Sequence, residues 1–125
     1  MDRGTLNIAP AVILFGSPGS GKGTQAKLLR ETCVTGPHIS TGDMLRHHIQ
    51  VDDEIGQEIR QLMKSGRLVS DELVNRLVEV RVQNPDCQGG FILDGYPRTL
   101  AQAGVLLDLL RVSGKVPVVV HLMVD

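Results

Sequence analysis

Gly16-Ser17-Pro18-Gly19-Ser20-Gly21-Lys22 spells G-x-x-x-x-G-K, a spacing that lets successive backbone N–H groups converge on an anion while a lysine reaches terminal phosphates. The segment stands after an apolar run and before a helical pattern, so a helix N-terminus adds its positive dipole to the same point. The general pattern places Ser or Thr directly after the lysine. Here Gly23 occupies that place and Thr24 follows, which displaces the usual hydroxyl ligand for magnesium by one residue. Two further groups can join this chemistry. Ser40-Thr41-Gly42-Asp43 leads into a short helix carrying Arg46, and Asp94-Gly95-Tyr96-Pro97-Arg98 follows the apolar run 91–93. Arginine forks suit bidentate phosphate contacts, and a carboxylate beside a triphosphate requires a cation between them.

Each of these residues also has a plainer reading. Arg46 on an exposed helix is equally a solvated charge, Thr41 or Asp43 an N-cap for that helix, and Asp94 a cap for a turn with Gly95. Thr99 to Gln102 forms S/T-x-x-Q, so Gln102 serves a capping box or a ligand. His38, His47 and His48 have no metal-ligand spacing and are expected in surface or packing roles.

These residues must be held by strands and helices. Residues 11–15 (AVILF) form a continuous apolar run ended by Gly16, as in a strand buried on both faces. Residues 91–93 and 118–124 read the same way. Between them lie helical patterns: residues 22–32; Ile55, Ile59, Leu62 and Met63; Leu73, Val74, Leu77 and Val78 behind an N-cap at Ser70; and residues 99–112, stopped by Ser113-Gly114. Strands alternating with helices specify an α/β fold with a mainly parallel sheet and right-handed crossovers. Ligands in such sheets bind beyond the carboxyl ends of strands, where the three groups above fall.

Composition narrows the function further. The 125 residues fit one domain, and 42% hydrophobic with 22% charged residues is that of a globular chain. A net charge of −1, with aromatics limited to Phe15, Phe91 and Tyr96, argues against a nucleic-acid partner. No stretch approaches the ~20 apolar residues of a membrane span, and the run 11–15 is shorter than a signal-peptide core. A cytoplasmic location is expected, with Cys33 and Cys87 as reduced thiols.

Four segments, GSPGSGKGTQ at 16–25, HISTGDMLR at 38–46, GRLVSDELV at 66–74 and GGFILDGYPRTLAQA at 89–103, closely resemble the adenylate kinases of the nucleoside monophosphate kinase family. Gly23-Thr24 becomes a match, since that family reads GKGT. The resemblance implies a three-layer P-loop nucleoside triphosphate hydrolase-like fold with strand order 2-3-1-4. It implies a single core over residues 1–125, with residues 40–69 as a helical AMP-binding insertion, and phosphoryl transfer from ATP to AMP with magnesium on the triphosphate. By position, residues 16–24 hold ATP phosphates, with Lys22, Asp94 and Arg98 as catalytic residues. Asp94 acts on the metal through water, with Thr24 a further candidate ligand. Arg46 and Arg98 grip the AMP phosphate, while Thr41, Val69, Gly95 and Gln102 surround its base and ribose. Inorganic phosphate or sulfate can substitute in the loop. The related uridylate-cytidylate kinases commonly have Ala where Thr41 stands, so Thr41 favours AMP. A phosphate-binding module without catalysis is the other functional reading, and a scaffold with a vestigial loop the third.

Adenylate kinases continue beyond the strand matched by residues 118–124 into an arginine-bearing helix, a lid over ATP, further arginines, a fifth strand and a final helix. The chain therefore reads as the core and AMP-binding part of a longer enzyme, expected to bind nucleotide phosphates weakly with little or no turnover. Without a fifth strand, residues 118–124 become an exposed edge, expected to self-associate or to be covered by a rearranged terminus.

Overall fold

The computed structural model describes residues 9–17, 20–32, 34–67 and 69–122. Pro18 and Gly19 of the glycine loop, Cys33, and the end of the run 118–124 lie outside the described residues. In chain order the elements are β1 (Ala9–Phe15), α1 (Lys22–Thr32), β2 (His38–Ser40), α2 (Thr41–Val51), α3 (Glu54–Lys64), α4 (Asp71–Val82), a 3-10 turn (Pro85–Cys87), β3 (Phe91–Asp94), α5 (Leu100–Ser113) and β4 (Lys115–His121). All strand pairings are parallel and the order is β2-β3-β1-β4, as the resemblance implied.

Burial on both faces explains why β1 is apolar throughout. Ala11 and Ile13 face a core built with Val78 and Val82 of α4, Leu106 and Leu110 of α5, and Phe91 and Leu93 of β3. Val12 and Leu14 face the opposite way, against Ala26 and Leu29 of α1 and Ile92 of β3. Successive strand side chains alternate sides, so one unbroken apolar run feeds two cores and produces helix, sheet and helix layers.

Local chemistry sets the helix ends. Ser40 caps α2 by accepting from the Asp43 N–H, Ser70 caps α4 by accepting from the Leu73 N–H, and Thr99 caps α5 by accepting from the Gln102 N–H. The cap of α2 is thus Ser40, where the sequence pointed to Thr41 or Asp43; Thr41 already lies inside the first turn. Asp53 caps α3 through the Gly56 N–H at 2.8 Å, and its other oxygen meets His48 Nδ1 at 2.6 Å. α2 and α3 pack chiefly against each other and attach to the sheet through β2 and α4.

β2 is not among the strands expected from the sequence, and β4 departs from its expected limits. β2 has three residues, too few to show a two-residue period. β4 begins at Lys115, three residues before its expected start at 118: Pro117 pairs with Ala11, and an edge strand tolerates its missing N–H. β4 leaves Val116, Val118 and Val119 exposed. Among the described residues no helix is long and apolar enough to cross a membrane.

Candidate functional site

The end of β1, the glycine loop and the start of α1 face the end of β3 across a cleft of about 490 Å3. Gly16 and Lys22 form one wall, and Gly95, Tyr96, Pro97 and Arg98 the other. Parallel register causes this meeting, because Leu14 pairs with Asp94 and Ser40 pairs with Asp94 from the other side. All three strands therefore end at one level, and the loops that leave them share one mouth.

Lys22 Nζ donates to Asp94 Oδ1 at 2.9 Å, and His38 Nε2 lies 3.2 Å from Asp94 Oδ2. Both carboxylate oxygens are thus engaged, one from α1 and one from β2. Asp94 does not cap a turn with Gly95 through its side chain in the way the sequence allowed. His38, expected in a packing or surface role, instead orients this carboxylate. Its alternation with Ser40 along β2 was the available signal, legible only once β2 is known to lie beside β3. Gly21 has φ +89, a left-handed geometry that an L side chain resists, and it turns the loop into α1. Ser20 Oγ is buried and has no hydrogen-bond partner among the described residues. A hydroxyl left unpaired inside a loop of this composition is the feature expected where an anion completes the shell.

A second group surrounds Gly95, whose φ is +84. The Gly95 carbonyl accepts from Thr41 Oγ1 at 3.1 Å and from Arg98 Nε at 2.9 Å. A Cβ at Gly95 would stand 2.9 Å from Thr41 Oγ1, so glycine here permits both the turn and the close approach of α2. Arg98 keeps the rest of its guanidinium exposed at the cleft. Arg46 Nη2 instead pairs with Asp43 on the same helix, and its guanidinium lies over Gly42. Val69 is half-buried in the segment before α4 and Thr24 is exposed on the first turn of α1.

Gln102 is buried and occupied at both ends. Nε2 donates to Asp71 Oδ1 at 3.0 Å, and Oε1 accepts from the Arg98 N–H at 2.6 Å. Its backbone N–H completes the Thr99 cap, whereas the side chain reaches Arg98, one residue before the position of a reciprocal capping box. Thr99 Oγ1 donates to Asp71 Oδ2 at 3.0 Å, so Asp71 joins α4 to α5. Asp71 stands in the first turn of α4, and no local pattern announces a partner 31 residues away.

Several groups titrate away from their ordinary values, among them Asp53, Cys87 and Tyr96. The Gly56 N–H, with His48 beside it, holds the Asp53 carboxyl low. Burial pushes the Cys87 thiol up to about 11, so it stays protonated and inert at neutral pH. Burial, with the charges of Asp71 and Glu79, raises Tyr96, whose hydroxyl donates to Asn75 Oδ1 and to the Gln102 carbonyl.

A sequence model of the family described as adenylate kinase matches residues 14–125. The chain belongs to the adenylate kinase family. An adenylate kinase of Chelativorans sp. (strain BNC1) is 50% identical over 115 residues, which cover 91% of this chain and 59% of that relative. Those of Anaeromyxobacter sp. (strain K) and Thermosipho melanesiensis are 53% and 50% identical over 104 residues, covering 83% of this chain and 48% of each. The chain thus spans about half to three-fifths of the length of these adenylate kinases.

Tyr96 is the single tyrosine and there is no Trp, so tyrosinate absorbance reports on it alone. In the folded protein it is expected to titrate near about 12, and in urea near the ordinary 10.0. Because the folded value is the higher, the stability this phenol contributes is intact below pH 10 and is lost as pH rises towards 12. A folded midpoint at the urea value would show that Tyr96 is not buried as described.

Proposed function

We propose that this chain takes part in phosphoryl transfer from ATP to AMP, giving two ADP, and that the cleft between the glycine loop and Gly95–Arg98 is where the phosphates meet. The observation that carries this reading is the Lys22–Asp94 contact at the mouth of three parallel strands, beside a buried hydroxyl with no partner among the described residues. The membership of the family supports it.

In this reading the loop amides and Ser20 wrap the β- and γ-phosphates, and Lys22 leaves Asp94 for the incoming anion. Arg98 grips the phosphate of AMP. Arg46 must release Asp43 before it can reach the same phosphate. Thr41, Val69, Gly95 and Gln102 border the base and ribose. The bond between the γ-phosphorus and its bridging oxygen breaks as an AMP phosphate oxygen bonds to that phosphorus, so the protein positions and neutralises rather than reacting covalently.

Magnesium fits the residues present. It takes one or two carboxylates plus substrate phosphates and keeps several waters. Asp94, freed by Lys22, supplies that carboxylate through water, with exposed Thr24 within the same turn as a further candidate. When bound, the ion neutralises charge on the phosphate oxygens. Among the described residues no cluster of three or more His, Cys, Asp or Glu forms an all-protein metal site. A cytoplasmic setting belongs to the same reading.

For the 125-residue polypeptide on its own, the reading is nucleotide binding with little or no turnover. Its cleft is open to water, and the cations available to the phosphates are Lys22, Arg98 and, after rearrangement, Arg46. Loss of one arginine clamp costs about 10³ to 10⁵ in rate in related phosphoryl transfer. Calorimetry should show ATP and inorganic phosphate binding to the wild type and at least about 10-fold weaker binding to Lys22→Ala, in keeping with the loss of one charged hydrogen bond. AMP should bind more tightly than UMP or CMP. Unchanged binding in the variant would overturn the phosphate site, and turnover near ~10 s⁻¹ would overturn the low-activity reading.

The open edge of β4 carries a second expectation for this polypeptide. Among the described residues β4 is an edge of the sheet with Val116, Val118 and Val119 exposed, an arrangement that recruits a second copy. Light scattering should show concentration-dependent association, reversed by Val118→Lys. A strictly monomeric wild type at high concentration would contradict it.

A further inference from the structure

We propose that Asp71 is a specificity-positioning residue: by fixing which way round the Gln102 carboxamide faces, it determines which purine edge the nucleotide site accepts. The proposal rests on the reading above that Gln102 borders the base of a bound monophosphate, and it names the residue that gives Gln102 its direction.

A glutamine amide carries two N–H donors and two lone pairs, and its two ends are nearly equal in shape. Left alone, it flips to suit either a donor or an acceptor. Gln102 is denied that freedom at both ends. Nε2 donates to Asp71 Oδ1 at 3.0 Å, and an ionised carboxylate can only accept. Oε1 accepts from the Arg98 N–H at 2.6 Å, and a backbone N–H can only donate. A flip would set carbonyl against carboxylate and NH2 against N–H, two mismatches in a residue that is 5% exposed. The second oxygen of Asp71 accepts from Thr99 Oγ1 at 3.0 Å at the start of α5, which leaves Oδ1 to Gln102.

After these bonds one N–H and one lone pair of the amide remain, with their places assigned. Glutamine pairs with adenine by accepting from the exocyclic amino group and donating to a ring nitrogen. Hypoxanthine has a carbonyl in place of that amino group and an N–H in place of the ring acceptor, so it needs the amide the other way round. A locked amide therefore accepts one purine and rejects the other, although the two are almost identical in shape. Sites built on such polar complementarity discriminate more strongly than apolar ones, because the wrong ligand leaves buried groups unpaired.

The test compares AMP with IMP by calorimetry, in which the shared ribose phosphate cancels. Wild type should prefer AMP. Asp71→Asn can present either oxygen or NH2 to Gln102, so the AMP-to-IMP affinity ratio should fall by roughly 10-fold, the scale of one mis-paired polar contact. Asp71→Glu, which keeps an acceptor, should restore most of the ratio. Thr99→Val removes a cap bond without removing the carboxylate, and should change both affinities together and leave their ratio alone. An unchanged ratio in folded Asp71→Asn overturns the proposal while leaving the AMP site standing, whereas wild type that binds no AMP overturns the underlying reading. A measurement on the wild type alone guards against a variant that does not fold: the Gln102 side-chain NH2 protons should exchange slowly with water, and fast exchange overturns the lock.

Discussion

Lys22 and Asp94 stand 72 residues apart in the chain and 2.9 Å apart in the fold, with most of both side chains withdrawn from water. A charge in that position must be paired, since leaving it alone costs more than the pair itself contributes. The contact therefore draws the start of α1 against the end of β3, and it holds only because β1 and β3 are adjacent, parallel and in register from Ala11 with Phe91 to Leu14 with Asp94. His38 completes the same carboxylate from β2. The Lys22 ammonium and the His38 ring thus meet one carboxylate from two sides; in the proposed reading an incoming phosphate gives Lys22 a stronger partner and leaves the carboxylate for a cation.

The group around Gln102 works in the opposite sense. There the partners are neutral or mutually complementary, and they are satisfied inside the protein: Asp71 with Thr99 and Gln102, Gln102 with Arg98, Tyr96 with Asn75. Fully connected polar networks rigidify the elements they join. α4, α5 and the Gly95–Arg98 turn form one such body, which α2 meets through Thr41 on the Gly95 carbonyl and through Met44 against the core. Arg46, by contrast, is committed only to an exposed acid on its own helix, a pairing of small energetic worth that a phosphate can displace.

Local periodicity made much of this legible in advance. α1 falls at residues 22–32 as expected, because the glycine loop and the apolar spacing mark both its ends. The caps at Ser70 and Thr99 were visible because capping is a short-range matter. β2 was not visible as a strand, since three residues carry no period, and β4 begins before Pro117 because only an edge position makes that proline acceptable. The members of the site were named from motifs, but their contacts were not. Asp94 with His38, and Asp71 with Gln102, depend on strand register and helix docking, which no local window contains. Ser40 displaced Thr41 as the cap for a similar reason: the hydroxyl of Thr41 is used across the fold on Gly95.

The central claim is that Asp94 holds Lys22 until nucleotide arrives and then serves the metal. The direct measurement is the affinity of ATP for wild type and Asp94→Asn, each with and without magnesium. Without magnesium the variant should bind ATP as tightly as wild type or more tightly, since Lys22 is already released, and magnesium should no longer strengthen binding. Weaker magnesium-free binding in the variant, with the strengthening by magnesium intact, would contradict the account.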